Sequence, residues 1–249
     1  MTDTDDGVVL PPGLDLLWGR REVGRRGPKP ALSIDDIVAA AIAIANADGL
    51  EAVSMARIAK AVGFTTMSLY RYVASKDELL QLMWNASAEG VEDVELEGDT
   101  WRTKIRSWAM AQREAIERNI WIVQMPMATP PLSPNSLIWM ERGLEAMDDT
   151  TLPDGDKIGI LGMLASHALI DARMGFDARR SVSGADGTHA INYAGVMREV
   201  VDAERFPRLH RAVWAGTLDE VGPDGDMMEG YRFDLEVILD GIEALIARA

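Results

Sequence analysis

The stretch Ile58–Leu80 reads IAKAVGFTTMSLYRYVASKDELL, and its punctuation decides the fold. Ser54 opens a short helix that turns Met55, Ile58, Ala59 and Val62 inward at helical spacing. Gly63 ends it, because glycine adopts the positive φ of a helix C-terminus without steric cost. Thr65 or Thr66 opens a second short helix, expected to carry Leu69, Tyr70 and Val73, with Leu69 and Val73 on the core side. Ala59 is small where the two helices cross, and Phe64 is expected to pack inward at the turn. Ser75 and Glu78 have the spacing of a capping box, opening a further helix through Leu79, Leu80, Leu82 and Met83. Short helix, three-residue turn and short helix make a helix-turn-helix.

In such a motif the start of the second helix enters the major groove of DNA. Thr65, Thr66, Met67, Ser68, Tyr70 and Tyr72 are the residues left to face outward. Hydroxyls bond base edges or phosphates, and the Thr methyls and Met67 suit the thymine methyl. The competing reading is a helical hairpin in a bundle that meets no nucleic acid.

A formal charge of −15 looks hostile to DNA, but it is unevenly spread. Residues 1–15 carry −4, residues 16–76 carry +4, and residues 77–249 carry −15. A surface senses mainly the charges within a Debye length of about 8–10 Å. The helix-turn-helix therefore lies in the one basic segment. Before it, residues 1–30 show no helical or strand period and are expected to be a flexible basic arm, with Leu14, Leu16, Leu17 and Trp18 as a local anchor. Arg25, Arg26 and Lys29, set among Gly and Pro, suit a narrow minor groove; the alternative is a solubilising tail.

The remaining pattern is helical. Ser33 caps a helix bearing Ile34, Ile37, Val38, Ala41, Ile42 and Ala45, which Gly49 stops. Residues 101–119 place Trp101, Ile105, Trp108, Ala109, Gln112 and Ile116 on one face. Further helices are expected at 135–147, 154–176, near 189–203 and 207–216, and at 229–247, with 177–188 as a polar loop. The long helix carries a stripe of Ile158, Leu161, Leu164, Ala165, Ala168, Leu169 and Ala172; the last carries Phe233, Leu235, Ile238, Leu239, Ile242, Leu245 and Ile246. The fold class is all-α, divided into the arm (1–30), a three-helix helix-turn-helix domain (31–78) and a larger helical ligand-binding and dimerisation domain (79–249).

The run from Ser33 to Trp84 resembles the DNA-binding domain of the TetR family of bacterial transcriptional regulators. The pattern that carries it is a small-residue helix, Gly63, a hydroxyl-rich helix start, Leu69-Tyr70-x-Tyr72-Val73, then Lys76 before an acidic-Leu-Leu run. The ending YRFDLEVILDGIEALI resembles the last helix of the tetracycline-repressor-like subgroup. The resemblance implies a homodimer on a palindromic double-stranded DNA operator, probed by a small-molecule effector that enters the acidic domain and releases the DNA, as a repressor would. It implies that Thr65 begins the recognition helix, Thr66 and Met67 face bases, and Ser68, Tyr70, Tyr72 and Lys76 hold phosphates. Where many relatives carry a basic residue early in the preceding helix this chain has Ala56, so Arg57 is assigned to a phosphate instead.

Other chemistry is thin. The chain has no cysteine, which excludes disulfides and thiolate sites. His167, His189 and His210 have no zinc spacing, and Ser166 and His167 point about 100° apart on a helix, which denies them a nucleophile–base pairing. No enzyme, cofactor or metal is expected. The candidate effector pocket comprises Trp84, Trp108, Gln112, Trp121, Met125, Trp139, Met163, His167 and Asp171, since ligand sites are mostly apolar with a few polar groups. For His167 and the Trp and Met side chains, plain helical core is the competing reading. The long helix and the last helix are expected to pair with their mates in a four-helix dimer interface. MTDTDDGVVLPPG lacks a basic signal region, and no apolar run approaches the ~18–20 residues of a membrane span, so a cytoplasmic protein with no membrane contact is expected. An acidic helical dimer that binds a small molecule or a protein, without DNA, is the alternative function.

Overall fold

The structure is a computed structural model that describes residues 10–11, 13–21, 32–126, 132–183, 193–216 and 227–248, the side chains of 181–183 and 227 excepted. Among the described residues there are eleven α-helices and no strand: α1 (Leu14–Leu17), α2 (Ile34–Asp48), α3 (Met55–Val62), α4 (Thr66–Leu69), α5 (Lys76–Ser87), α6 (Trp101–Arg118), α7 (Pro134–Glu145), α8 (Asp154–Ser183), α9 (Tyr193–Val200), α10 (Pro207–Trp214) and α11 (Met227–Ile246). None of them is long and apolar enough to cross a membrane.

Local chemistry sets most of the ends. The Ser33 hydroxyl accepts from the Asp36 N–H, and the Asp36 carboxylate accepts from the Ser33 N–H, so α2 opens on a full capping box. Gly49 closes it at φ 83°. Two cores follow. Ile37, Ala41, Ile58, Leu69, Val73, Leu79 and Met83 form the N-terminal core from α2 to α5. Ile105, Trp108, Met147, Leu161, Leu164, Ala168, Tyr231, Leu235 and Leu239 form the C-terminal core from α6, the turn after α7, α8 and α11. Burying this much apolar surface is the main term that holds each part together.

Several expectations are corrected. The boundary expected at 78/79 lies inside α5, whose Leu79, Leu80, Leu82 and Met83 pack in the N-terminal core. Within residues 1–30, α1 docks on α5 where a local anchor is expected, with Leu14 buried and Leu16 and Leu17 packed against the N-terminal core. Helix α8 runs to Ser183, seven residues into the expected polar loop. Nothing before Gly184 breaks a helix there, and Arg173 Nε reaches Asp177 at 2.9 Å along the same face. The single stripes on α8 and α11 are really two faces each. Ile158, Phe233 and Leu245 point outward, while Ile160 and Tyr231 take inward positions.

Direct hydrogen bonds join the two parts. The Leu50 N–H donates to Gln124 Oε1 at 3.1 Å. Asn135 donates through its backbone N–H to Asn85 Oδ1 at 3.0 Å and through Nδ2 to the Asn85 carbonyl at 2.8 Å. Trp84 Nε1 donates to Ser136 Oγ at 2.8 Å.

Candidate nucleic-acid interface and effector site

Gly63 takes φ 76° and ψ 27°, and the Phe64 N–H returns to the Ala59 carbonyl at 2.9 Å, closing α3. Thr65 caps α4: its Oγ1 accepts from the Ser68 N–H at 3.2 Å and lies 2.9 Å from Ser68 Oγ. Helix α4 is a single turn ending at Leu69, with Tyr70 to Tyr72 in the turn that follows, so Tyr70 and Val73 are not helical as expected. Leu69 and Val73 are fully buried and pin this turn to the core. Met67, at 74% exposure, is thrown outward, and Tyr70 is half exposed beside it. Thr66, Ser68 and Tyr72 are partly covered, and Thr65 and Lys76 are exposed. Phe64 does not pack inward; it stands exposed at the rim of the turn.

Besides Lys76, three further cations lie near this face. Lys60 on α3 and Arg71 between the two tyrosines are exposed and make no ion pair among the described residues; sequence reasoning had not singled them out. The signal was available: both lie in the +4 segment at positions off the apolar stripe. Arg57 behaves differently, since its guanidinium is paired with Asp48 at the end of α2. Arg25, Arg26 and Lys29 lie outside the described residues. Ser75 caps α5 as expected, accepting from the Glu78 N–H at 3.1 Å. The other half of the box is altered, because the Glu78 carboxylate accepts from the Ala74 N–H and pairs with Arg21. The resulting surface presents hydroxyls, a thioether, a phenol and cations on a rigid turn. Such a set can meet base edges and phosphates together.

The nine pocket candidates do not share one core. Trp121 is buried in the N-terminal core, with Trp84 and Met125 packed against it. Trp108 is buried in the C-terminal core and stacks on Trp139 with centroids 5.1 Å apart, its Nε1 donating to the Trp139 carbonyl at 2.9 Å. Met163 is 47% exposed on the outer face of α8, away from its buried neighbours Leu161 and Leu164. His167 stacks on Tyr231 with centroids 5.2 Å apart, and its Nε2 lies 3.7 Å from Asp234 Oδ2, too far for a hydrogen bond. Gln112 Oε1, Trp121 Nε1, Trp139 Nε1 and His167 Nε2 are buried without a hydrogen-bond partner.

Asp171 is already committed. Arg113, 1% exposed on α6, donates through Nε to Asp171 Oδ2 at 2.6 Å and through Nη1 to Glu117 Oε2 at 2.9 Å. Arg179 Nη2 reaches the same Glu117 at 3.0 Å. Burial opposes the charge on Arg113, but the bonds to Asp171 and Glu117 outweigh it and raise the pKa above the usual arginine value. Tyr231 donates its buried hydroxyl to the Ala109 carbonyl at 3.1 Å, and burial pushes its pKa well up, so it stays neutral. The network ties α6, α8 and α11 together.

Comparison with known proteins agrees with this geometry. Residues 37–83 match the family described as bacterial regulatory proteins, tetR family, and residues 95–246 match the tetracyclin repressor-like C-terminal domain. The chain is 32% identical over 251 residues to the HTH-type transcriptional repressor DrrR1 of Streptomyces coeruleorubidus, covering 99% of this chain and 90% of that protein. It is similar in structure to the Streptomyces coelicolor TetR family protein ActR in complex with actinorhodin, with TM-score 0.72, 25% identity, and coverage of 86% of this chain and 97% of that one. Apo ActR gives TM-score 0.69 at 25% identity, covering 87% of this chain and 98% of that one.

Proposed function

The chain belongs to the TetR family of bacterial regulatory proteins, which are DNA-binding transcriptional regulators and not enzymes, and on that premise we propose how its own residues share the task. Thr66 and Met67 read base edges. Ser68, Tyr70, Tyr72, Lys76, Lys60 and Arg71 hold the phosphate backbone, and Thr65 sets the turn. Arg57 acts through Asp48 on the α2–α3 packing more than on a phosphate. The observation that carries this reading is the exposure of Met67 on a turn otherwise fixed by Gly63, Thr65 and buried Leu69.

The protein acts as a homodimeric repressor on a two-fold operator. The outer faces of α8 and α11 suit a second copy. Ile158, Met163, Ile170, Met174, Phe233 and Val237 stand exposed there. Gly159, Gly162 and Gly241 leave open space for a close approach. A small-molecule effector enters the C-terminal part and releases the operator. DrrR1 is named a repressor and ActR is seen with a bound small molecule, which supports this reading. The unpartnered atoms of Gln112 on α6, Trp139 on α7 and His167 on α8 are the polar groups that such a molecule would satisfy. Release follows if the effector favours a dimer whose recognition turns no longer match the half-site spacing.

Selection of binding sites from random duplex DNA tests the proposal. The expected product is a palindrome. Met67→Ala is expected to lower affinity for it by about 1–3 kcal/mol and relax preference at one base pair per half-site, with the thermal midpoint unchanged. If no duplex is enriched at low salt, the alternative of a helical ligand-binding dimer without DNA replaces it.

A further inference from the structure

The segment before α2 touches both α5 and the C-terminal part, in contacts that the operator reading does not use. Gly13, at φ 87°, comes so close to α5 that an added Cβ would sit 3.2 Å from Glu78 Cγ and 3.3 Å from Gln81 Cβ. Leu14 is buried behind it. The chain then coils tightly, with Trp18 N–H on the Leu14 carbonyl at 2.9 Å and Arg20 N–H on the Asp15 carbonyl at 2.7 Å. At its end the Arg21 guanidinium pairs with Glu78, a carboxylate only 2% exposed. Glu78 Oε2 in turn accepts the Ala74 N–H at 3.1 Å, in the loop that joins the recognition turn to α5. On its other side, Trp18 Nε1 donates to the Leu132 carbonyl at 3.0 Å, just before α7 of the C-terminal part.

We propose that Gly13–Arg21 is a strap that positions the recognition turn from the C-terminal part, with Arg21 acting through Glu78 on Ala74 and Trp18 holding the far end at Leu132. Arg21 and Trp18 are positioning residues and touch no DNA. A buried carboxylate needs a counter-charge, so Arg21 fixes where Glu78 sits, and Glu78 fixes the exit of the recognition turn. Glycine suits position 13 because a Cβ would press on Glu78 and Gln81 of α5, and its φ is one that other residues rarely adopt. A shift of the backbone near Leu132 is passed along the strap to Ala74, beside the linkage made by Asn85, Asn135, Trp84 and Ser136.

The functional half rests on the operator reading; the mechanical half does not, and the two are tested apart. Amide hydrogen exchange of the full chain without DNA reads the mechanical half. Gly13→Val and Arg21→Met are expected to speed exchange at Ala74, and Arg21→Lys to restore most of the protection. Trp18→Phe, which keeps the ring and removes the N–H, is expected to speed exchange at Ala74 as well as near Leu132. On the selected operator, Gly13→Val and Arg21→Met are expected to weaken binding roughly three- to thirtyfold without changing its salt dependence. If Arg21→Met does not fold, the pair Arg21→Met with Glu78→Gln removes both charges and keeps an acceptor for Ala74; the same exchange and affinity changes are expected. Unchanged exchange at Ala74 in the Gly13 and Arg21 variants overturns the strap. So does a Trp18→Phe effect confined to Leu132, which makes the contacts independent. An affinity loss with a salt slope shallower by about 0.9 makes Arg21 a phosphate ligand instead. If wild type selects no operator, the operator reading fails, while the exchange result still decides the strap.

Discussion

Gly63, Thr65 and Leu69 are near neighbours in the chain, and each fixes the recognition turn by acting on residues a few positions away. Arg113, Asp171 and Tyr231 come from three helices of the C-terminal part and have meaning only once α6, α8 and α11 have met. The first arrangement makes a rigid surface out of backbone geometry. The second makes a packed interior out of long-range polar contacts, which couple distant helices and leave room for two-state behaviour. A regulator needs both. The turn must read the same sequence every time, and the bundle must have an alternative state for an effector to favour.

Removing the centre of the C-terminal network should give the largest effect. Arg113→Met keeps an unbranched side chain of similar length but leaves Asp171 and Glu117 without their shared cation. The expected cost is about 3 kcal/mol, at the low end for a broken buried pair because both carboxylates keep some water. Thermal unfolding should start roughly 10 °C lower for a chain of this size. Base preference on the selected operator should not change, since no link from Arg113 to the recognition turn is local. A midpoint shift below about 2 °C would mean that apolar packing alone holds the three helices.

The same contrast explains what the sequence disclosed. Ser33, Gly49, Ser54, Gly63 and Thr65 act on their own helix ends, so spacing alone located α2, α3 and the start of α4. Leu69 and Val73 were legible as core for the same reason. Phe64 was misread because an apolar residue just past a glycine cap has no helical face to fix its side. Half of the expected capping box gave way to Arg21, which is 57 positions from Glu78 and beyond any local pattern. In the C-terminal part, Arg113 sits on the inward face that Ala109 and Ile116 define, and a charge on that face was the missed signal. The exposed face of α8 entered the expected stripe because Ile158 lies beside inward positions such as Ile160 and Leu161.

Two glycines sharpen the comparison at smaller magnitude. An added Cβ at Gly143 on α7 would lie 2.6 Å from Leu161 Cδ2 and 3.1 Å from Trp108, whereas one at Gly63 meets nothing within 4 Å. Gly143→Ala is therefore expected to cost about 2 kcal/mol by overpacking. Gly63→Ala is expected to cost about 1 kcal/mol, all of it from the left-handed backbone. Asparagine, which tolerates that backbone, should recover part of the loss at Gly63 and make matters worse at Gly143. Chemical denaturation of the four variants reads both differences. Equal responses to asparagine at the two sites would erase the distinction between a backbone-determined turn and a contact-determined bundle.

The smallest expected effect lies in acid. Arg106 bonds Glu236 across the α6–α11 seam, Nη2 to Oε2 at 2.8 Å, and Arg102 Nη2 reaches the same oxygen at 2.9 Å. The Arg106 bond first, and that of Arg102 after burial is offset, hold the Glu236 carboxyl below its ordinary value. In the N-terminal part Asp36 is likewise held low, by the Ser33 hydroxyl and then the Ser33 N–H. A depressed carboxylate stabilises the fold fully above its unfolded pKa of about 4.3 for glutamate, and the contribution fades as pH falls through the lower folded value. Glu236 is partly solvated, so its share is below about 1 kcal/mol. Glu236→Gln should lower stability slightly at pH 7 and leave a shallower decline between about pH 5 and 3. Raising the salt should shrink the Glu236 difference, because an ion pair across two helices at the surface is screened. The Asp36 cap is a pair of short hydrogen bonds within one helix end and should respond less. An equal salt response in Glu236→Gln and Asp36→Asn would show that the two regions do not differ in this respect, and that the α6–α11 seam is held by its apolar contacts instead.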